Sequence, residues 1–297
     1  MRPVNSIFNN RFIIVPVNSV SLPSAKIPVA LTIAGSDSGG GAGIQADLRT
    51  FAFHCVHGTS ALTCVTAQNT LGVKRVDALP IAAIQAQIQA VVEDIGIQAV
   101  KTGMLLNREI ISAVATQLQQ LQVNNLVVDP VMVSRTGARL LDDGAIASLR
   151  DLLIPRALIL TPNRYEAQIL SGLDIQTQAE MEQAAQIIHK LGARGVLVKG
   201  GGMSGDLRGV DVWFDGENLE ILRTSTIDTI HTHGTGCTLS AAIAAQLALG
   251  LPSVAAVRSA KTYVTSALQY SLAIGQGQGP VGHFFPLLSP NSFSGKA

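Results

Sequence analysis

The chain has 297 residues, of which 47% are hydrophobic and only 14% charged, with 21 basic and 20 acidic side chains and a formal net charge of +1. Soluble proteins carry about 25% charged residues, so this composition excludes a disordered polyampholyte. A near-neutral chain also has no broad field with which to draw in nucleic acid or an acidic membrane; the expected partner is a small molecule, bound by a chain long enough to bury a large core.

Residues 1–27 read as a disordered leader. Arg2, Arg11 and Lys26 come with no acid before Asp37, a loose likeness to an organelle transit peptide, but the apolar run at 12–17 is broken by Pro16 and a plain leader explains the same composition. A cytoplasmic protein is expected, since nothing approaches the roughly 18 consecutive apolar residues of a membrane span. From Pro28 onward, apolar β-rich runs alternate with helical stripes. Strands are predicted at 29–34, 60–66, 99–102, 126–128, 157–160 and 195–198. Between them Ile84, Ile88, Val91, Val92 and Ile95 share one helical stripe, as do Ile110, Val114, Leu118 and Leu121, and then Met181, Ala185 and Ile188. A hairpin is expected over 210–222, where Asp215 and Gly216 supply turn chemistry after Val212, Trp213 and Phe214. Two closing helices follow, near 236–248 and 253–273. With no linker, repeat or low-complexity stretch, residues 28–288 form one expected domain and 289–297 a flexible tail. Strands buried on both faces and flanked by such helices imply an α/β fold, a doubly wound, mostly parallel sheet with helices on both faces. Its ligand should lie beyond the carboxyl ends of the strands, where helix amino termini present free N–H groups.

The informative residues fall at those ends. Gly35, Ser36, Asp37, Ser38, Gly39, Gly40, Gly41, Ala42 and Gly43 follow the first strand and lead into a helix carrying Gln45 and Asp47. The loop lets a ligand touch backbone, but neither GxGxxG nor GxxxxGK[ST] can be laid on it, which disfavours a dehydrogenase and a P-loop enzyme. Gln68 ends the second strand with an amide that can pair in bidentate fashion with an aminopyrimidine edge; standing alone, such an amide is more often satisfied by backbone. Asp129, Asn163 and Glu166 follow later strands and offer the hard oxygen ligands that Mg²⁺ takes, and Lys199 adds a point charge for phosphate oxygens. Each alone would be read as a cap or turn; four at one end of a sheet are harder to dismiss. Near the end of the chain, His231, Thr232, His233, Gly234, Thr235, Gly236, Cys237 and Thr238 open a helix whose free N–H groups suit a phosphoryl group in flight. A thiol in that first turn should have a lowered pKa and could take a proton from a substrate hydroxyl, although a small cysteine in a helix is more often a core residue. His231 and His233 lack companion ligands and read as ordinary loop histidines. Cys55, Cys64 and Cys237, an odd number at long spacings, imply neither a disulfide framework nor a structural zinc.

Taken together these residues resemble the hydroxymethylpyrimidine/phosphomethylpyrimidine kinases of the ribokinase-like superfamily, from about Pro28 to Phe285. The likeness is carried by AGSDSGGGAGIQADLRTF at 34–51, TAQNTLGV at 66–73, KTGML at 101–105, VVDPVM at 127–132, TPNRYEA at 161–167, VKGG at 198–201, HTHGTGCTLSAA at 231–242 and GPVGHF at 279–284. The resemblance implies two successive transfers of the γ-phosphoryl group of ATP, with Mg²⁺, first to 4-amino-5-hydroxymethyl-2-methylpyrimidine and then to its monophosphate, in thiamine biosynthesis. It assigns Gln68, Gly35, Asp37, Met104 and Val131 to the pyrimidine pocket and Gly234, Thr235 and Gly236 to the anion hole. Cys237 becomes the base or hydroxyl-orienting group, Asp129 and Glu166 the Mg²⁺ region, and Lys199 and Asn163 contacts to ATP or phosphate. A homodimer is implied as well. Three departures stand out: SDSGGGAG where many relatives read SDPSGGAG, Gly202 where histidine or aspartate is frequent, and Gly282 for a common histidine. The competing readings are a pyridoxal or pyridoxine kinase of the same superfamily and a non-catalytic pyrimidine-binding sensor.

Overall fold

The structure is a computed structural model and describes residues 26–132 and 140–288. The expected leader, but for Lys26 and Ile27, and the expected tail lie outside the described residues. The chain runs β1 (Val29–Asp37), α1 (Gly43–Phe53), β2 (His57–Asn69), β3 (Gly72–Ala78), α2 (Ile81–Asp94), β4 (Ala99–Thr102), α3 (Arg108–Gln120), β5 (Leu126–Val128), α4 (Asp143–Ser148), β6 (Ile159–Leu160), α5 (Arg164–Ser171), α6 (Gln178–His189), β7 (Val196–Val198), β8 (Val210–Phe214), β9 (Leu219–Arg223), α7 (Thr235–Ala248), α8 (Ser253–Gln269) and the single turn α9 (Phe285–Leu288). A π-helical turn at Leu149–Leu153 and a 3₁₀ turn at Ile154–Arg156 continue α4 towards β6. No helix among the described residues is long and apolar enough to cross a membrane.

The strands form one sheet in the order β3-β2-β1-β4-β5-β6-β7-β8-β9. The run from β2 to β7 is parallel, and antiparallel partners close it at both edges, β3 on β2 and the β8–β9 hairpin on β7. Adjacent strand residues point to opposite faces, and the two cores follow from that alternation. Leu31, Val100, Val128, Leu160 and Val198 face the layer of α2 to α6. Their neighbours Ala30, Ala99, Val127, Ile159 and Leu197 face α7 and α8. Apolar residues on both sides explain the unbroken hydrophobic runs of the central strands. The expected doubly wound sheet is therefore present. Caps set the helix starts: Asn107 accepts from the Ile110 N–H at 2.9 Å, and Thr177 and Glu180 form a reciprocal capping box.

One strand escaped the sequence pattern. Every residue of β3 is solvent-exposed, so no buried face imposes a period of two on it. The three parallel strands β5 to β7 have only two or three residues each, so the chain turns into functional loops almost as soon as it has crossed the core.

Candidate active site

The carboxyl ends of the parallel strands converge on one cleft. At the end of β1, the Asp37 carboxylate accepts the N–H groups of Gly39 (2.8 Å), Gly41 (3.1 Å) and Ala42 (2.9 Å), and meets His233 Nε2 at 2.8 Å. Burial opposes its ionisation, but the hydrogen bond and charge of His233 and the loop amides together hold the carboxyl below the usual aspartate range. The glycine-rich loop is thus folded around its own acid. Gln68 lies next to it, at a register irregularity where β2 meets β3. Its backbone is gripped twice by Ser38, whose hydroxyl donates to the Gln68 carbonyl (2.7 Å) and accepts the Gln68 N–H (2.8 Å). The serine that departs from the common SDPSGG pattern is therefore used to hold Gln68. Gly35 lies against Met104 and Cys64: a Cβ there would stand 3.0 Å from Met104 Cε and 2.7 Å from Cys64 Sγ. Val131, half-buried just past β5, is held through its N–H on the Asp129 carbonyl (2.9 Å).

The second half of the cleft is buried and charged. Asp129, only 4% exposed, accepts Lys199 Nζ at 2.9 Å and the hydroxyls of Thr161 and Ser240, both at 3.3 Å. Burial works against its ionisation, but the charges of Lys199 and Lys101 and these hydrogen bonds keep its carboxyl low. Asn163 and Glu166 form a capping box at the start of α5: Asn163 Oδ1 accepts the Glu166 N–H (3.0 Å) and Glu166 Oε2 accepts the Asn163 N–H (2.8 Å). Both residues thus do serve as caps, the bland reading of their sequence positions, while remaining at the cleft through the pairing of Asn163 with Lys199. Burial pushes the Glu166 carboxyl up to about 8; Lys199 partly offsets this, and the Asp129 charge adds to it. Two buried carboxylates that oppose each other's ionisation fit a divalent cation. No group of three or more His, Cys, Asp or Glu suited to a metal occurs among the described residues; a magnesium ion would ask for fewer, since it is commonly held by one or two carboxylates, waters and substrate phosphate.

Gly234 joins the halves. It caps α7 at φ 81°, and a Cβ on it would stand 1.8 Å from the Gly41 carbonyl, so the α7 turn and the β1 loop touch at a point that only glycine allows. The Gly43 N–H reaches the Cys237 thiol, and a Cβ on Gly236 would lie 3.4 Å from Lys199 Nζ. The turn before α7 is pinned from outside by the 279–284 segment, with the His233 N–H on the Gly279 carbonyl (3.2 Å), the Val281 N–H on the His233 carbonyl (3.2 Å) and the Gly279 N–H on His231 Nδ1 (3.0 Å).

Two sequence expectations change. The Cys237 thiol is not lowered by its helix position: burial pushes it up to about 11, with Asp47 and Asp129 adding to the rise and Lys101 only partly offsetting it. Thr235 does not offer a free amide to an anion, because its N–H and its hydroxyl both donate to the Thr232 carbonyl, at 3.2 and 2.6 Å; the first-turn amides of Gly236 and Cys237 are the ones without helical acceptors. Three further residues belong to the site. His233 bridges Asp37 and Gln68 rather than lying idle in a loop. Beneath Cys237, Lys101 Nζ meets Asp47 Oδ2 at 2.8 Å, both side chains fully buried, with Thr32 donating to the same oxygen at 2.6 Å. Contact with Asp47 and the field of Asp129 keep the Lys101 ammonium charged. A lysine inside the four-residue apolar strand β4 was the available signal, since a buried ammonium requires a buried acid.

The mostly parallel nine-stranded sheet, with the β1 loop and the α7 turn meeting at the carboxyl ends of its strands, is the frame of a ribokinase-like small-molecule kinase. The sequence model of the family described as phosphomethylpyrimidine kinase matches residues 37–282. A hydroxymethylpyrimidine/phosphomethylpyrimidine kinase of Synechococcus elongatus is 64% identical over 261 residues, covering 88% of this chain and 99% of its own. Among solved structures, a phosphomethylpyrimidine kinase from Clostridium difficile superposes with TM-score 0.73 at 42% identity, covering 81% of this chain and 99% of its own. An ADP complex of Bacillus subtilis pyridoxal kinase superposes with TM-score 0.82 at 41% identity, covering 89% of this chain and 100% of its own. The chain belongs to the phosphomethylpyrimidine kinase family.

Proposed function

We propose that the protein transfers the γ-phosphoryl group of ATP to the hydroxymethyl oxygen of 4-amino-5-hydroxymethyl-2-methylpyrimidine and then to the resulting monophosphate, in thiamine biosynthesis. The observation that carries the reading is the contact of the Asp37–Gln68 loop region with the α7 turn, through Gly41 on Gly234 and Gly43 on Cys237, with Lys199 beside Gly236. One hydroxymethyl group can then sit between an amide that reads the ring and amides that receive phosphate.

In this reading the Gln68 amide pairs with the ring nitrogen and amino group, and Gly35, Met104 and Val131 complete the pocket. The amides of Gly236 and Cys237 and the positive end of α7 face charge on the moving phosphoryl group. Lys199 offers its ammonium to phosphate oxygens, held in place by Asp129, and Asn163 lies at the same loop. Asp129 and Glu166 would hold Mg²⁺, which when bound neutralises phosphate charge. A thiol raised to about 11 is neutral at rest, so Cys237 orients the acceptor hydroxyl rather than standing ready as a thiolate. That suits phosphoryl transfer, which depends on alignment and charge neutralisation more than on bond-making help from the protein.

Phosphorus NMR after incubation with the pyrimidine alcohol and MgATP tests the reading: a diphosphate ester is expected, and no phosphate ester at all would overturn it. The likeness to a pyridoxal kinase keeps that alcohol in the assay, and preferential phosphorylation of pyridoxal would replace the substrate. Cys237→Ala should lower kcat by about 10²-fold, the scale of a reacting group left misaligned; unchanged turnover removes Cys237 from the orienting role. The homodimer belongs to the same proposal. Exposed Leu71, Val73 and Val76 on and beside β3 offer it an apolar surface, and sedimentation at micromolar protein reads it.

A further inference from the structure

One ring nitrogen in the cleft faces two groups that make opposite demands. His233 Nε2 lies 2.8 Å from Asp37 Oδ2 and 3.3 Å from the terminal amide nitrogen of Gln68. A carboxylate can only accept a hydrogen bond, and Asp37 is a carboxylate, since the loop amides of Gly39, Gly41 and Ala42 already donate to it and its pKa is held low. The Nε2 atom of His233 must therefore carry a proton aimed at Asp37. An amide NH₂ facing the same atom would set donor against donor. A half-turn of the Gln68 amide exchanges its nitrogen and oxygen and resolves every contact. Oε1 then accepts the His233 proton shared with Asp37, and the NH₂ faces Thr66 Oγ1, 3.3 Å from the amide atom on that side. Thr66 is free to accept because its own proton goes to the Ser36 carbonyl at 2.9 Å.

We propose that His233, held by Asp37, is a positioning residue that fixes the orientation of the Gln68 amide and so makes the pocket selective for a ring presenting an acceptor nitrogen beside an exocyclic amino group. With Oε1 anchored on the His233 side and one N–H on Thr66, the amide keeps a free lone pair and a free N–H in a fixed order. That pair matches an amino donor and a ring nitrogen acceptor in one register only. A ring without the amino group leaves the Oε1 lone pair unpaired, and unmatched buried polar groups are what give sites their strongest discrimination. The surrounding backbone enforces the arrangement: a Cβ on Gly41 would stand 2.3 Å from His233 Cδ2, so the ring is packed closely against the loop, and the Gly279 and Val281 bonds fix the His233 backbone.

The proposal rests on the proposed substrate, so its test has one arm that does not. In the unliganded wild-type protein, ¹⁵N NMR of the histidine rings should show His233 protonated at Nε2; an unprotonated Nε2 overturns the proposal whatever the substrate is. In the second arm, kcat/KM is compared for the aminopyrimidine alcohol and for 5-hydroxymethyl-2-methylpyrimidine, which lacks the amino group. The wild-type preference for the amino compound should fall about 10-fold or more in His233→Leu, on the scale of one bidentate pair, with the KM for ATP unmoved. His233→Gln, whose amide N–H can reach the same place, should restore the preference. An unchanged preference in His233→Leu, or equal loss for both alcohols, overturns the proposal. A wild-type enzyme that phosphorylates neither alcohol overturns the substrate reading alone, and the tautomer measurement still decides the orientation.

Discussion

The two halves of the cleft solve the same problem with opposite materials. On the acceptor side, backbone amides of the glycine loop hold the buried Asp37 carboxylate and the Ser38 hydroxyl holds the Gln68 backbone, while the Gln68 and His233 side chains stand half-buried at the cleft. On the phosphate side, charges are buried outright: Lys101 and Asp47 are fully enclosed and Asp129 is almost so. The difference teaches where strength is needed. Reading a flat ring needs directional donors and acceptors in a fixed order, which cost little to hold. Meeting a phosphoryl group whose negative charge is spread over three oxygens needs cations kept charged in a dry place, and these are stable only while each has its partner.

Substitutions that leave one buried charge unpaired should therefore do the most damage. Lys101→Met strands Asp47 and should lower stability by about 3–5 kcal/mol, read from the urea midpoint; a shift under about 1 kcal/mol, the worth of an exposed pair, would show that the cleft floor is wetter than it looks. Lys199→Ala should lower kcat by about 10²–10³ at saturating substrates, the scale of one lost transition-state donor, with little change in the KM for the alcohol. An effect confined to that KM would erase the division between the halves.

The pH dependence of the unliganded protein sharpens the same contrast. A glutamate in the unfolded chain loses its proton near 4.5, but Glu166 in the folded protein does so near 8. Between these values the folded state holds the extra proton, so stability should fall as pH rises from about 5 to 8. Asp129, held low, acts in the opposite sense and only below about pH 4. Glu166→Gln should flatten the fall in Tm, and Mg²⁺ with a nucleotide should reduce it in the wild type; a fall as steep in Glu166→Gln would place its origin elsewhere. The smallest effect is expected on the acceptor side: Ser38→Ala removes two hydrogen bonds to the Gln68 backbone in an exposed loop, each worth about 1 kcal/mol or less, and should raise the KM for the alcohol a few-fold while leaving kcat and Tm nearly unchanged.

The sequence by itself determined the layered fold and the ends of the strands at which chemistry would gather. Both are written in local patterns: apolar runs too continuous for an amphipathic sheet, helical stripes between them, and polar residues where each run stops. Even the short strands β4 and β5 could be read to the residue, because a buried parallel strand has apolar neighbours on both faces. Edge strand β3, exposed throughout, carried no such signature. What only the tertiary structure decided was the state and partnership of individual groups. Cys237 follows a helix start in sequence, yet its thiol is raised because the fold buries it, with the charges of Asp47 and Asp129, brought in from other elements, adding to the rise. His233 read as a spare loop histidine until its partner Asp37, 196 residues away, came within hydrogen-bonding distance. Protonation and hydrogen-bond direction depend on every charge and dipole within a few ångströms, and those neighbours are chosen by the fold, not by adjacency along the chain.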